Sequence, residues 1–200
     1  MKIKITQYKW EGSWGPFKIN VPCGECNVSE GVIKDLLEND FRDDKDRIYF
    51  ETKPWLNNWW KIILKGAWHA PIILVNKKLV FQGKVIDRGL LGYHIRKELV
   101  KGYKISENAN VVFSKEKCGF CVKAKNLLKE KKVEFEERDI IKNPLYAHQV
   151  FYLTKQFFPA GKPVTTPQIW LRGKYVGGAD ELEKFLAQTP VSSPKSSNRP

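Results

Sequence analysis

Residues 110–121 read NVVFSKEKCGFC, a short run of apolar residues followed closely by two cysteines three positions apart. A run of β-branched and aromatic residues bounded by polar ones is typical of a strand. Val122, Leu127 and Leu128 then lie among lysines and Asn126 as the apolar stripe of a helix. The sequence of this half of the chain therefore predicts a Cys-x-x-Cys pair at a strand-to-helix junction.

The segments that follow complete a β-α-β-α-β-β-α order. Residues 133–140 alternate in polarity, Asn143-Pro144 opens a helix, and the turn at 172–174 closes a hairpin. The predicted elements are strand 110–114, helix 122–132, strand 133–140, helix 145–157, hairpin 167–177 and helix 180–187.

The first half of the chain repeats this architecture. Cys23 precedes Pro71 by 48 residues, and Cys118 precedes Pro167 by 49. The predicted elements are strand 2–9, a Gly/Trp-rich loop, helix 29–38 with Ser29 as N-cap, strand 47–51, helix 56–64, hairpin 71–81 and helix 90–100. We predict an α/β protein with two domains, 1–102 and 103–190, each around a central mixed four-stranded sheet. Residues 191–200 have almost nothing to bury and are predicted to be a disordered tail.

Two interpretations of the four cysteines remain: one zinc site or two redox dithiols. Cys26 and Cys118 lie 92 positions apart, whereas compact zinc ribbons separate their pairs by roughly 15–20. The spacing favours two dithiols, Cys23 with Cys26 and Cys118 with Cys121, and no metal ligands. A helix N-terminus favours the thiolate of the first cysteine of each pair, and the second is placed to resolve a mixed disulfide.

The net charge of +13 is spread over both halves, +6 in residues 1–102 and +7 in 103–200. Such a spread does not indicate a specific nucleic-acid surface, but it attracts small anions such as glutathione. No apolar stretch approaches the roughly 18 residues that cross a bilayer. We expect a cytoplasmic monomer without a membrane partner.

Residues 108–188 resemble a glutaredoxin. The resemblance is carried by Lys115-x-x-Cys118-Gly119-Phe120-Cys121, by residues 165–169 (TTPQI) and by residues 173–182 (GKYVGGADEL). It implies glutathione as co-substrate. The residues that it assigns to glutathione are Lys115 and Gln156 at the glycine carboxylate, Thr166 before a cis-Pro167 at the cysteinyl group, and Gly178, Ala179 and Asp180 at the γ-glutamyl end.

Residues 1–102 resemble a thioredoxin-like domain less closely. Cys23, Cys26 and a cis-Pro71 match that pattern, but no Gly-Gly-x-Asp turn follows the hairpin. Together the two resemblances imply tandem thioredoxin-fold domains.

The resemblance implies a glutathione-dependent thiol–disulfide oxidoreductase acting on disulfides or glutathionylated thiols of proteins. Three alternatives stay open at this point. The first is a tandem thioredoxin-fold protein disulfide oxidoreductase that does not use glutathione. The second is an iron–sulfur cluster carrier, because the Gly-Phe pair after Cys118 is similar to that of single-cysteine glutaredoxins, although Cys121 stands where those have Ser. The third is a binding module without catalysis.

Overall fold

The computed structural model describes residues 2–157 and 163–188, apart from the side chain of Gln156. The predicted tail, 191–200, lies outside the described residues. The chain divides into two compact units, Met1–Leu99 and Val100–Pro200, compared with the predicted boundary after residue 102. Each unit has its own sheet and its own apolar core.

The first unit contains a four-stranded sheet in the order β4-β1-β5-β6, with β1 parallel to β4 and antiparallel to β5. Its strands are β1 (Ile3–Lys9), β2 (Glu11–Trp14), β3 (Phe17–Asn20), β4 (Ile48–Pro54), β5 (Ile72–Val75) and β6 (Lys78–Gln82). Its helices are α1 (Gly24–Asn39), α2 (Trp59–Ile63) and α3 (Arg88–Leu99), with 3-10 turns at Arg42–Arg47 and Leu56–Asn58.

Two local predictions for the first unit are wrong. The predicted loop after β1 is a hairpin, in which Trp14 pairs with Phe17 across the turn. Helix α1 begins five residues before Ser29, and Cys23 is its N-cap. Ser29 is fully buried, and its hydroxyl accepts a hydrogen bond from the backbone N–H of Ile86 at 3.1 Å. A serine that bonds a distant backbone N–H and a serine that caps a helix look the same in the local sequence. The sequence alone therefore could not distinguish the two roles.

The second unit contains a sheet in the order β10-β9-β7-β8, with β7 parallel to β8 and antiparallel to β9. Its strands are β7 (Val111–Ser114), β8 (Glu136–Asp139), β9 (Gln168–Leu171) and β10 (Lys174–Gly177). Its helices are α4 (Gly119–Glu130), α5 (Pro144–Thr154) and α6 (Ala179–Gln188), with a 3-10 turn at Lys155–Phe157. The prediction of an α/β protein with two mixed four-stranded sheets is confirmed.

Strand β8 begins three residues later than predicted. Lys132 has a positive φ of 53°, and the N–H of Val133 bonds to the carbonyl of Leu128 at 2.9 Å. This left-handed turn closes the C-terminus of α4, so Val133 belongs to the helix end and not to the strand.

The core of the second unit lies on both faces of its sheet. Ala124, Leu128 and Leu182 from the helices pack on one face against Val112 and Ile169, all fully buried. On the other face, Phe113 and Trp170 meet edge to face and pack with Val150 of α5. Strand β7 is buried along its whole length, so its C-terminal end presents the following Cys118 on a rigid support.

Candidate active site

Cys118 is the N-cap of α4. Its backbone is extended, and its Sγ accepts a hydrogen bond from the N–H of Cys121 at 3.1 Å. The sulfur therefore lies where the free N–H groups and the dipole of the helix stabilise negative charge. Cys118 is half-buried, whereas Cys121 is 1% exposed and joined to it by a disulfide. Access favours Cys118 as the attacking sulfur and Cys121 as the resolving one.

The loop before β9 approaches this sulfur closely. The Thr166–Pro167 peptide bond is cis, and the Sγ of Cys118 lies 3.6 Å from the carbonyl oxygen of Thr166 and 3.7 Å from its Oγ1. Because Sγ in the disulfide carries no hydrogen, its approach to the carbonyl oxygen is a contact and not a hydrogen bond, whereas the hydroxyl of Thr166 can donate to the sulfur. A ligand bonded to Cys118 would meet the backbone of Thr166 at once.

A surface cleft of about 720 Å³ opens beside Cys118. It brings together six of the seven residues that the sequence assigned to glutathione, namely Lys115, Thr166, Pro167, Gly178, Ala179 and Asp180. The seventh, Gln156, belongs to the 3-10 turn after α5, and its side chain lies outside what the structure describes. Phe120, whose side chain is 61% exposed, adds an apolar wall.

Asp180 lies in the first turn of α6 at the rim of this cleft. The ammonium of Lys123 lies 3.0 Å from its carboxylate and 2.7 Å from that of Glu183. Hydrogen bonds from Lys123 to Glu183 and then to Asp180 raise the pKa of Lys123 above its ordinary value. Lys123 stays charged at neutral pH and therefore bridges the carboxylates of Asp180 and Glu183 at this rim.

Glu181 is a site residue that sequence reasoning missed. Its carboxylate accepts a hydrogen bond from the N–H of Gly178 at 3.0 Å, and it also lines the cleft. An acidic residue three positions after a turn glycine is typical of a helix N-terminus, where a carboxylate of the first turn accepts a hydrogen bond from the N–H of the residue before the helix. That spacing was present in the sequence and would have indicated Glu181.

A second cleft, of about 600 Å³, also borders Cys118. Lys125 and Glu137 pair across it at 2.7 Å, and the hydroxyl of Ser114 donates to the same carboxylate at 2.6 Å. These two hydrogen bonds, from Lys125 first and Ser114 second, lower the pKa of Glu137 below its ordinary value. The sequence contained no signal for this network, because its three residues come from different elements.

The first unit holds its dithiol in the same way. Cys23 is half-buried at the N-cap of α1, its Sγ accepts from the N–H of Cys26 at 3.2 Å, and a disulfide joins the two. The Ala70–Pro71 bond is cis. Ala70 stands where the second unit has Thr166, and Asp87 accepts from the N–H of Leu90 at 2.6 Å near the start of α3. No Gly-Gly-x-Asp sequence follows the hairpin of this unit, so the unit has no counterpart of the turn at Gly178–Asp180.

Among residues 2–157 and 163–188, no group of three or more His, Cys, Asp or Glu side chains is arranged to hold a metal ion. Within the same residues, no helix is both long enough and apolar enough to cross a membrane.

A dithiol at the N-terminus of a helix, with a cis-proline loop approaching its first sulfur, defines the class of thioredoxin-fold dithiol proteins. A family model described as Glutaredoxin matches residues 110–176. Glutaredoxin of Haemophilus influenzae is 33% identical over 81 residues, covering 39% of this chain and 90% of that relative. Glutaredoxin 3 of Escherichia coli is 33% identical over 75 residues, covering 37% and 82%. The chain belongs to the glutaredoxin family.

Two further similarities cover only part of this chain or of the relative. The hybrid peroxiredoxin hyPrx5 of Haemophilus influenzae is 34% identical over 91 residues, which is 46% of this chain. The chain spans only about a third (34%) of that relative's length. A solved complex of buckwheat glutaredoxin with glutathione aligns with 50% of this chain and 84% of its own, at 24% identity and a TM-score of 0.36.

The charges around the two dithiols predict different acidities. Lys115 and Lys117 precede Cys118 and line its clefts, whereas Glu25 lies in the first turn of α1 beside Cys23. We expect reduced Cys118 to be alkylated by iodoacetamide at lower pH than Cys23, because nearby cations stabilise its thiolate. Mass spectrometry of the fully reduced chain across a pH series would measure both rates. An earlier onset at Cys23 would contradict the electrostatic argument.

Proposed function

We propose that the second unit is a glutathione-dependent thiol–disulfide oxidoreductase that acts on glutathionylated or disulfide-bonded proteins. The observation that carries the proposal is the position of Cys118. Its sulfur lies at a helix N-terminus, 3.6 Å from the carbonyl of Thr166, at the edge of a cleft of about 720 Å³. A cleft of this size suits a tripeptide joined to that sulfur.

The chemical sequence needs only thiols and disulfides. The Cys118 thiolate attacks the glutathione sulfur of a glutathionylated protein, forms a mixed disulfide with glutathione and releases the protein thiolate. The thiolate of a second glutathione then attacks the glutathione sulfur of that mixed disulfide. Oxidised glutathione leaves, and Cys118 returns to its thiolate. In the net exchange, one free glutathione thiol is consumed, the protein thiol is released, and the glutathione removed from the protein leaves as half of oxidised glutathione.

The charges of the cleft are complementary to glutathione, which carries two carboxylates and one ammonium group. Lys115 offers a cation for a carboxylate, and Asp180 offers an acceptor for the ammonium. The backbone of Thr166 lies close to the Cys118 sulfur, where it can pair with the extended cysteinyl part of the tripeptide.

Asp180 provides a sharp test of the ligand. We expect Asp180→Ala to raise the KM for glutathione about tenfold, because it removes a charge-assisted hydrogen bond worth on the order of 1.5–3 kcal/mol that solvent partly screens. Glu183→Ala is the matched control, since Glu183 binds the same Lys123 but does not line the cleft. Steady-state reduction of a glutathionylated protein measures both variants. Equal KM values for the two variants would argue against a γ-glutamyl site at Asp180.

A further inference from the structure

Gln7 lies directly against the resolving cysteine of the first unit. It is 0% exposed on β1, and its Nε2 donates a hydrogen bond to the carbonyl of Cys26 at 2.6 Å. A carbonyl only accepts, so this bond fixes which end of the amide faces Cys26. The other end, Oε1, is buried and has no hydrogen-bond partner among the residues that the structure describes.

In the second unit, a valine stands at the strand position that corresponds to Gln7. Gln7 pairs with Ile73, two residues after Pro71, and Val112 pairs with Ile169, two residues after Pro167. Val112 therefore occupies the place of Gln7 and is packed in an apolar cluster with Ala124 and Leu128 of the dithiol-bearing helix. A glutamine in the first unit is not required by the fold, because valine serves at the same register in the second.

An unpartnered amide oxygen in a protein interior is costly, because water no longer solvates it. In the disulfide state, Cys26 has no hydrogen to donate. Reduction changes this, because burial of Cys26 favours the neutral thiol over the thiolate. The S–H group is a weak donor, and Oε1 of Gln7 is a buried acceptor without a donor on a side chain that already contacts Cys26.

We propose that Gln7 is a positioning residue for the first dithiol, and that its Oε1 accepts the S–H hydrogen of reduced Cys26. Two thiols of a reductant supply two electrons and two protons, the Cys23–Cys26 bond breaks, and the reductant leaves as its disulfide. One of the two protons is then held between Cys26 and Gln7. The bond exists only in the reduced state, so Gln7 shifts the equilibrium of this dithiol toward reduction. The inference rests on the sequence-based interpretation that Cys23 and Cys26 form a redox dithiol.

The test uses the full chain carrying Cys118→Ser and Cys121→Ser, so that only the first dithiol is titrated. The protein is equilibrated with fixed ratios of reduced and oxidised dithiothreitol, and the fraction reduced is read by alkylation and mass spectrometry. We expect Gln7→Val and Gln7→Met each to lower the equilibrium constant for reduction roughly tenfold, which is about 30 mV for a two-electron couple. Thr6→Val is the control, because Thr6 is a buried polar residue of the same strand that bonds Glu51 instead.

A merely structural role would destabilise the oxidised and reduced states alike and leave this constant unchanged. An unchanged or increased constant in the Gln7 variants would therefore overturn the inference, as would an equal decrease in Thr6→Val. Failure of Cys23–Cys26 to exchange at any ratio would overturn the redox role itself. If the Gln7 variants do not fold, the infrared S–H stretch of the reduced protein, with Gln7 intact, tests the hydrogen bond instead. A band at the frequency of a thiol without an acceptor contradicts the bond.

Discussion

Cys118→Ser should abolish both reduction of a protein disulfide and removal of glutathione from a protein, whereas Cys121→Ser should keep the second reaction. Deglutathionylation needs one thiolate at the helix N-terminus, and free glutathione then releases the mixed disulfide. Serine is a far weaker nucleophile than a thiolate, so we expect Cys118→Ser to lose at least about a hundredfold in rate. Cys121→Ser should lose most protein-disulfide reduction, because that reaction uses an intramolecular resolving attack.

The comparison is made in the full chain with Cys23→Ser and Cys26→Ser, so that the first dithiol supplies no resolving thiol. Both substrates are assayed for each variant at saturating glutathione. Substantial deglutathionylation by Cys118→Ser, or none by Cys121→Ser, would sink the division of roles between the two sulfurs. A brown, visibly absorbing protein from fresh purification would instead favour the iron–sulfur alternative.

Leu128→Ala should destabilise the second unit by about 2–5 kcal/mol, the range for truncating a fully buried leucine. Leu128 lies on the dithiol-bearing helix, is 0% exposed, and packs among Val112, Ile169 and Leu182. The loss combines the transfer free energy of the removed carbons with the cavity that a rigid sheet cannot close.

Leu127→Ala is the matched control, because the adjacent Leu127 is only partly buried against the same core. We expect it to cost less than about 1.5 kcal/mol. Amide hydrogen exchange along β7 measures the stability of this unit by itself, whereas the fluorescence of the chain mixes seven tryptophans, of which only Trp170 lies in the second unit. Equal loss of protection in both variants would mean that Leu128 does not anchor the core.

Much of the fold was predictable because local and long-range signals agreed. The apolar run before Cys118, the stripe along α4 and the hairpin around residues 172–174 each specify an element by periodicity or turn chemistry. The repeat spacing from Cys23 to Pro71 and from Cys118 to Pro167 then specified the architecture twice. Errors arose where a pattern had two physical explanations, as at Ser29 and at Val133.

The candidate residues Lys115, Thr166 and Asp180 came from the resemblance to glutaredoxins. The amino-acid sequence by itself predicted the two dithiols and the order of strands and helices, except for the hairpin after β1. These follow from residue type and spacing along one chain. Only the tertiary structure revealed that Glu137 is held by Lys125 and Ser114, and that the amide of Gln7 lies against Cys26 with its oxygen unpartnered. The physical reason is that hydrogen-bond satisfaction is a property of atoms brought together from separate elements, and periodicity along the chain carries no information about it.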